Sequence, residues 1–158
     1  MNKIIGILGM QGAIAEHQEI LLQIPHTKTR IVKTAKDLDC IDGLILPGGE
    51  STAIGKLLDY FSLKEILRQK IISGLPVFGT CAGLILLAKN IENQTNTHLA
   101  TMDITVKRNG YGSQLDSFST NLLIPTIDKN MPIPLVFIRA PYITKTGKDV
   151  QILATLDK

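Results

Sequence analysis

An apolar strand that runs into an apolar helix through two glycines four residues apart leaves the backbone few options. The stretch Pro76-Val77-Phe78-Gly79-Thr80-Cys81-Ala82-Gly83 followed by Leu84-Ile85-Leu86-Leu87-Ala88 has that form. In the serine version of the pattern, the residue between the glycines sits on a strained strand-to-helix turn with its side chain thrust out at the top of a sheet. Here the exposed atom is the sulfur of Cys81. Gly79 and Gly83 lack a Cβ, so the chain turns sharply and helix and strand pack closely. The helix N-terminus adds unpaired N–H groups and a positive dipole end, a setting that suits a reactive thiolate. Taken alone, the same residues also describe a buried, inert cysteine in a strand–helix corner.

The rest of the chain fits a sheet around that turn. Strand-like runs at 3–8, 28–32, 43–46 and 76–78 alternate with helical patterns at 13–22, 52–60 and 63–72. Such alternation predicts an α/β fold: a single-domain, three-layer sandwich over residues 1–158, with a mostly parallel central sheet and helices on both faces. Ser62-Leu63-Lys64-Glu65 reads as a capping box, and Gly74 before Pro76 as a helix stop. After Lys89 a polar loop is expected over 90–97, then a strand at 103–108, a turn at Asn109-Gly110, and short strands near 121–124, 135–138 and 150–154.

Composition excludes several functions. The net charge of +3 comes from scattered Lys and Arg with acidic residues between them, and aromatic residues make up only 4% of the chain, so neither a basic stripe nor a base-stacking platform supports nucleic-acid binding. No apolar run approaches the length of a membrane span, and the start, Met1 to Met10, is too short in its apolar stretch and too poor in basic residues for a signal peptide. Two cysteines, Cys40 and Cys81, form no disulfide framework and point to a reducing compartment, hence the cytoplasm. His17, His26 and His98 are isolated from one another and from the cysteines, so no metal is expected.

A second strand ends in a glycine turn at Leu46-Pro47-Gly48-Gly49-Glu50-Ser51-Thr52. One of its N–H groups, with that of Ala82, is placed to hold the oxyanion formed when Cys81 attacks a carbonyl. One such donor contributes about 2.7–4 kcal/mol to transition-state stabilisation. The plainer alternative is a tight turn with Ser51 or Thr52 as an N-cap. Arg108 and Arg139, at or near strand ends, are candidates to grip a carboxylate bidentately or are solvated surface residues.

Together, Gly9-Met10-Gln11-Gly12-Ala13 with Glu16-His17, the Gly48-to-Thr52 turn, the Cys81 elbow, Gln114-Leu115-Asp116-Ser117-Phe118 and Phe137-Ile138-Arg139-Ala140-Pro141 resemble the glutaminase subunits of the pyridoxal 5′-phosphate synthase complex. The elbow alone indicates only class I glutamine amidotransferases; the other blocks narrow it. The resemblance implies hydrolysis of L-glutamine to glutamate and ammonia through a cysteine thioester, with no cofactor. It further implies a hetero-oligomer with a synthase partner of (β/α)₈ fold, which receives the ammonia for vitamin B6 synthesis. By the same resemblance Cys81 is the nucleophile, Gly49 and Ala82 furnish the oxyanion donors, and Gly48, Gly49, Glu50, Ser51, Arg108, Ile138 and Arg139 bind glutamine. The resemblance also implies that the segment around Gln11 couples partner binding to the oxyanion site.

The chain also departs from that family. The Ser-Phe-His-Pro-Glu segment that completes the family's Cys-His-Glu triad is not among these residues, and no histidine here matches the catalytic one. The expectation is therefore a domain lacking the family's C-terminal strand and helix, with exposed apolar sheet surface and little activity as an isolated chain. It is either a shortened form of a working glutaminase or a non-catalytic subunit of the same complex. Residues 109–114 and Tyr142 also differ from many bacterial members. A DJ-1/PfpI-like cysteine-elbow protein is the other alternative, but it leaves the Gly-Gly-Glu-Ser-Thr block unexplained.

Overall fold

The computed structural model describes residues 2–110 and 117–156. Gln114, Leu115 and Asp116 of the family-like block lie outside them. The strands β1 (Lys3–Leu8), β2 (Thr27–Val32), β3 (Gly43–Leu46) and β4 (Val77–Gly79) form a parallel sheet in the order β2-β1-β3-β4. Its central strand β3 reads Gly-Leu-Ile-Leu and is buried throughout, as expected of a parallel strand covered on both faces. Ile7 sits in register with Ile31 on one side and Ile45 on the other.

Topology fixes where the helices go. From β1 the chain steps outward to β2 through α1 (Ile14–Leu22), whereas from β3 it steps the opposite way to β4 through α2 (Ser51–Tyr60) and α3 (Lys64–Ile72). Right-handed crossovers in opposite directions put α1 on one face and the α2–α3 pair on the other. The main core lies under the pair: Leu8, Val32, Leu44 and Leu46 from the sheet meet Ile54, Leu58, Leu63 and Leu67. By contrast, α1 packs on β1 and β2 without burying any residue completely.

Behind the elbow, α4 (Ala82–Leu87) leads directly into β5 (Ala88–Ile91). That strand pairs in parallel with β6 (Met102–Lys107), which pairs antiparallel with β9 (Tyr142–Thr146). A separate hairpin joins β7 (Phe118–Leu122) and β8 (Ile133–Phe137), where Phe118 and Phe137 stack with ring centroids 4.7 Å apart. Among the described residues, no helix is long and apolar enough to cross a membrane.

Three local expectations are corrected. Leu63, not Ser62, is the N-cap of α3, and no side chain caps that helix; Ser62 instead takes a positive φ of 52° in the tight link from α2. Glu65 turns to its own helix face, accepting from Gln69 Nε2 at 2.6 Å. The expected polar loop over 90–97 begins as the end of β5, because Ile91 is buried against Ile85 and Ile104. Finally, the stretch 150–154 forms no strand, and the pairing with β6 is made by Tyr142–Thr146. That segment carries β-branched Ile143, Thr144 and Thr146, whereas Ile152 and Leu153 are largely exposed.

The helix stop after α3 holds. Gly74, at φ 104°, gives its N–H to Ile71 O and Leu75 gives its N–H to Lys70 O, both at 3.0 Å, which is the Schellman arrangement.

Candidate active site

The carboxyl ends of β3 and β4 lie side by side, with Leu46 paired to Gly79, and both glycine turns emerge there. Cys81 is exposed and adopts φ 48°, ψ −104°. A residue with a Cβ reaches this conformation only at a cost of about 1–3 kcal/mol. Close packing enforces it. A methyl group on Gly83 would lie 2.0 Å from Leu46 O, and one on Gly79 would lie 2.7 Å from the Gly83 carbonyl, so only glycines let α4 start against β3. Two bonds complete the turn: Thr80 N–H donates to Leu46 O at 3.1 Å, and Gly83 N–H to Thr80 O at 2.8 Å.

The second glycine turn sits against the first. A methyl on Gly48 would lie 3.4 Å from Cys81 Cβ. The turn is held from α1's side, where Ala13 N–H donates to Gly48 O at 2.9 Å, and Gln11 Oε1 accepts the Glu50 N–H at 2.9 Å. Gly12, at φ 113°, permits the contact, since any side chain there would strike Gly48 O. The Gly49 and Ala82 N–H groups have no protein hydrogen-bond partner among the described residues.

A cavity of about 800 Å³ opens over these turns. It is lined by Thr80 and Cys81 of the elbow, by Gln11, Gly49, Glu50 and Ser51, and by Arg108, Asn109 and the stretch 136–141. Glu50 caps α2 by accepting the Ala53 N–H at 2.7 Å through Oε2, and binds Arg108 Nη2 at 2.7 Å through Oε1. Burial works to raise its carboxyl, but the amides of Ala53 and Thr52 and the Arg108 guanidinium outweigh it and hold Glu50 below the usual carboxylate range. Ser51 is buried, and its Oγ has no hydrogen-bond partner. A second cleft of about 650 Å³, lined by β9 and residues 152–156, shares Leu84 and Pro141 with the first.

Most of the residues singled out from the sequence therefore converge. Gln11, Gly49, Glu50, Ser51, Cys81, Arg108, Ile138 and Arg139 all line the cavity, although Arg108 is committed to Glu50 and Arg139 is held at a positive φ of 45°. Gly48 stands behind the cavity wall, against Cys81. Ala82 is fully buried and does not itself line the cavity. Two participants were given no role at the site from the sequence. Thr52 Oγ1 accepts from Arg108 Nη1 at 3.2 Å, and His17 Nε2 lies 3.3 Å from Thr80 Oγ1. The signal for His17 was its spacing: four residues after Ala13, it lies on the helix face that meets the elbow.

A family model described as SNO glutamine amidotransferase family matches residues 7–158. The chain belongs to the SNO glutamine amidotransferase family. It is 51% identical over 156 residues to a protein of Ruminiclostridium cellulolyticum named pyridoxal 5′-phosphate synthase subunit PdxT, a match covering 99% of this chain and 82% of that protein. A PdxT subunit of Clostridium botulinum is 53% identical over 98% of this chain and 79% of its own length. Among solved structures, a crystal structure of a glutamine amidotransferase superposes with a TM-score of 0.85 at 38% identity, covering 96% of this chain and 79% of the other. Within this SNO amidotransferase chain, the parallel sheet expected from the alternation of strands and helices is present.

Proposed function

We propose that this protein hydrolyses L-glutamine to L-glutamate and ammonia at Cys81 and supplies the ammonia to a synthase partner that makes pyridoxal 5′-phosphate. The observation that carries the reading is the meeting of three features in one cavity: a cysteine on a strained elbow, an adjoining Gly-Gly turn and an arginine paired to Glu50. PdxT relatives at just over half identity across nearly the whole chain support the same activity.

The chemistry follows from charge placement. Cys81 Sγ forms a bond to the side-chain amide carbon, and the carbonyl π pair moves to oxygen. The Gly49 and Ala82 N–H groups, without other partners, are the donors for that oxyanion. Collapse breaks the C–N bond and releases ammonia as the nitrogen takes up the proton that the Cys81 thiol gave up; water then cleaves the thioester to glutamate and returns a proton to the sulfur. None of the three histidines lines the cavity, and the proton for the leaving nitrogen is assigned to none of them. Arg108 and Arg139 suit the substrate α-carboxylate, Glu50 the α-ammonium, and Ser51 Oγ, buried and unbonded, a further polar atom of the substrate. Gly48 sets the turn, and Ile138 supplies the apolar wall.

The partner is proposed to be a (β/α)₈ synthase that forms a hetero-oligomer with this chain. Gln11, bonded to the Glu50 amide, is the link through which docking on α1 would reach the oxyanion turn. Two free cysteines suit the cytoplasm.

The test is ammonia release from glutamine by this chain, with and without the synthase, and with Cys81→Ala as control. Partner-stimulated, Cys81-dependent release supports the proposal. Binding to the synthase without release, and without labelling of Cys81 by 6-diazo-5-oxo-L-norleucine, would make the chain a non-catalytic subunit instead.

A further inference from the structure

The Cys81 backbone is strained, and strain of this kind persists only where the surroundings over-determine it. Thr80 is where those constraints meet. Its N–H is held by β3, its carbonyl by α4, and its side-chain oxygen lies 3.3 Å from His17 Nε2 of α1. A methyl on Gly48 would lie 3.9 Å from the same oxygen, so the Thr80 hydroxyl lies between α1 and the Gly48 turn. The His17 ring is half-buried and does not line the cavity, so it is not placed to touch a substrate. Burial lowers its pKa, with Glu16 opposing, which keeps the ring neutral near pH 7 and able to donate or accept toward a hydroxyl.

We infer that His17 and Thr80 are a positioning pair: the hydrogen bond from α1 to the Thr80 hydroxyl holds the elbow in the conformation that presents the Cys81 thiol. One helix then anchors both halves of the site, the Gly48 turn through Ala13 and the elbow through His17. The role of the pair in glutamine hydrolysis rests on the function proposed above; its effect on the thiol itself does not.

The experiment measures the alkylation rate of Cys81 in a Cys40→Ser background with two probes, iodoacetamide and 6-diazo-5-oxo-L-norleucine. His17→Leu and Thr80→Val each remove one end of the bond with little change in volume at Thr80. Each is expected to slow both reactions about 3- to 10-fold, the loss of one hydrogen bond, and the double variant to be no slower than either single one. His17→Gln, which places a nitrogen near the Nε2 position, and Thr80→Ser are expected to restore the rate. A merely structural role would lower the urea midpoint while leaving rates per folded molecule unchanged. Rates within twofold of the parent for Thr80→Val, or multiplicative losses in the double variant, would overturn the inference. If iodoacetamide shows the coupling and the glutamine analogue labels nothing, the positioning pair stands and the glutaminase reading falls.

Discussion

Glu50 Oε1 meets Arg108 Nη2 at 2.7 Å while Glu50 Oε2 caps α2, so one carboxylate fixes both a helix start and an arginine that lines the same cavity as Cys81. The ion pair is partly exposed, and such pairs contribute little to stability. Its consequence lies in orientation. Arg108→Lys, which loses the planar fork, is expected to raise KM for glutamine about 10- to 100-fold with a smaller change in kcat, the loss of one charged bidentate contact. Glu50→Ala removes the cap as well and should cost about 1 kcal/mol of stability, whereas Glu50→Gln retains an oxygen for Ala53 N–H. Steady-state kinetics with urea unfolding separate the two effects.

Ser51 gives a prediction of opposite sign for stability and affinity. Its buried hydroxyl has no partner, a state that costs about 1–3 kcal/mol. Ser51→Ala is therefore expected to leave the ligand-free protein as stable or more stable, yet to weaken glutamine binding. Calorimetric unfolding with and without glutamine checks both; a destabilised free protein would mean the hydroxyl is already bonded.

Strain at Cys81 predicts that glycine is the better replacement. Cys81→Ala keeps a Cβ at φ 48°, whereas Cys81→Gly relieves it. After the entropic cost of glycine, the glycine variant is expected to be more stable than the alanine variant by about 1 kcal/mol. Equal urea midpoints would show that the elbow is unstrained.

Gly55, inside α2, faces the His98 ring: a methyl there would lie 2.2 Å from Nδ1. Helix propensity favours alanine by about 1 kcal/mol, but overpacking against a ring costs about 1–3 kcal/mol. Gly55→Ala is expected to destabilise the protein, and His98→Ala in the same chain to reverse the sign of the effect. A double-mutant cycle measures this directly.

Acid should weaken the fold in two stages. His17 is held below its ordinary pKa by burial, against Glu16; His98 is lowered by burial, then by Lys64 and Arg108, against Asp59 and Glu50. The unfolded chain thus takes up these protons first, near pH 6.5, and stability falls as pH drops through that value and levels off below the folded pKa. Asp37, Asp42 and Asp128, lowered chiefly by backbone amides, and Glu50 act the other way round in charge but not in sign. Their contribution is complete above about pH 4 and is lost as pH falls through the folded values. Urea midpoints between about pH 8 and pH 3 should show both steps, and His98→Gln should shrink the first.

The elbow, the Gly-Gly turn and the strand–helix alternation were legible because each is local: chain chemistry over a few residues dictates a turn, a strand or a cap. Ser62 shows the limit of that logic. Its capping box is correct in pattern, but the short link from α2 forces Ser62 to a positive φ and moves the helix start to Leu63. Strand β9 shows another limit, since 150–154 is the more apolar stretch, yet it is 142–146 that pairs with β6.

By itself, then, the sequence determined the parallel sheet, the placement of Cys81 between Gly79 and Gly83, and membership of the amidotransferase family, all properties of local backbone preference and residue order. Tertiary structure alone decided that Arg108 would be tied to Glu50 and Thr52, that His17 would reach the elbow, and that Gly55 would make room for His98. Those contacts join residues 43 to 63 positions apart in the chain. Their distances are set by how helices pack on a twisted sheet, a geometry that no short window of sequence contains.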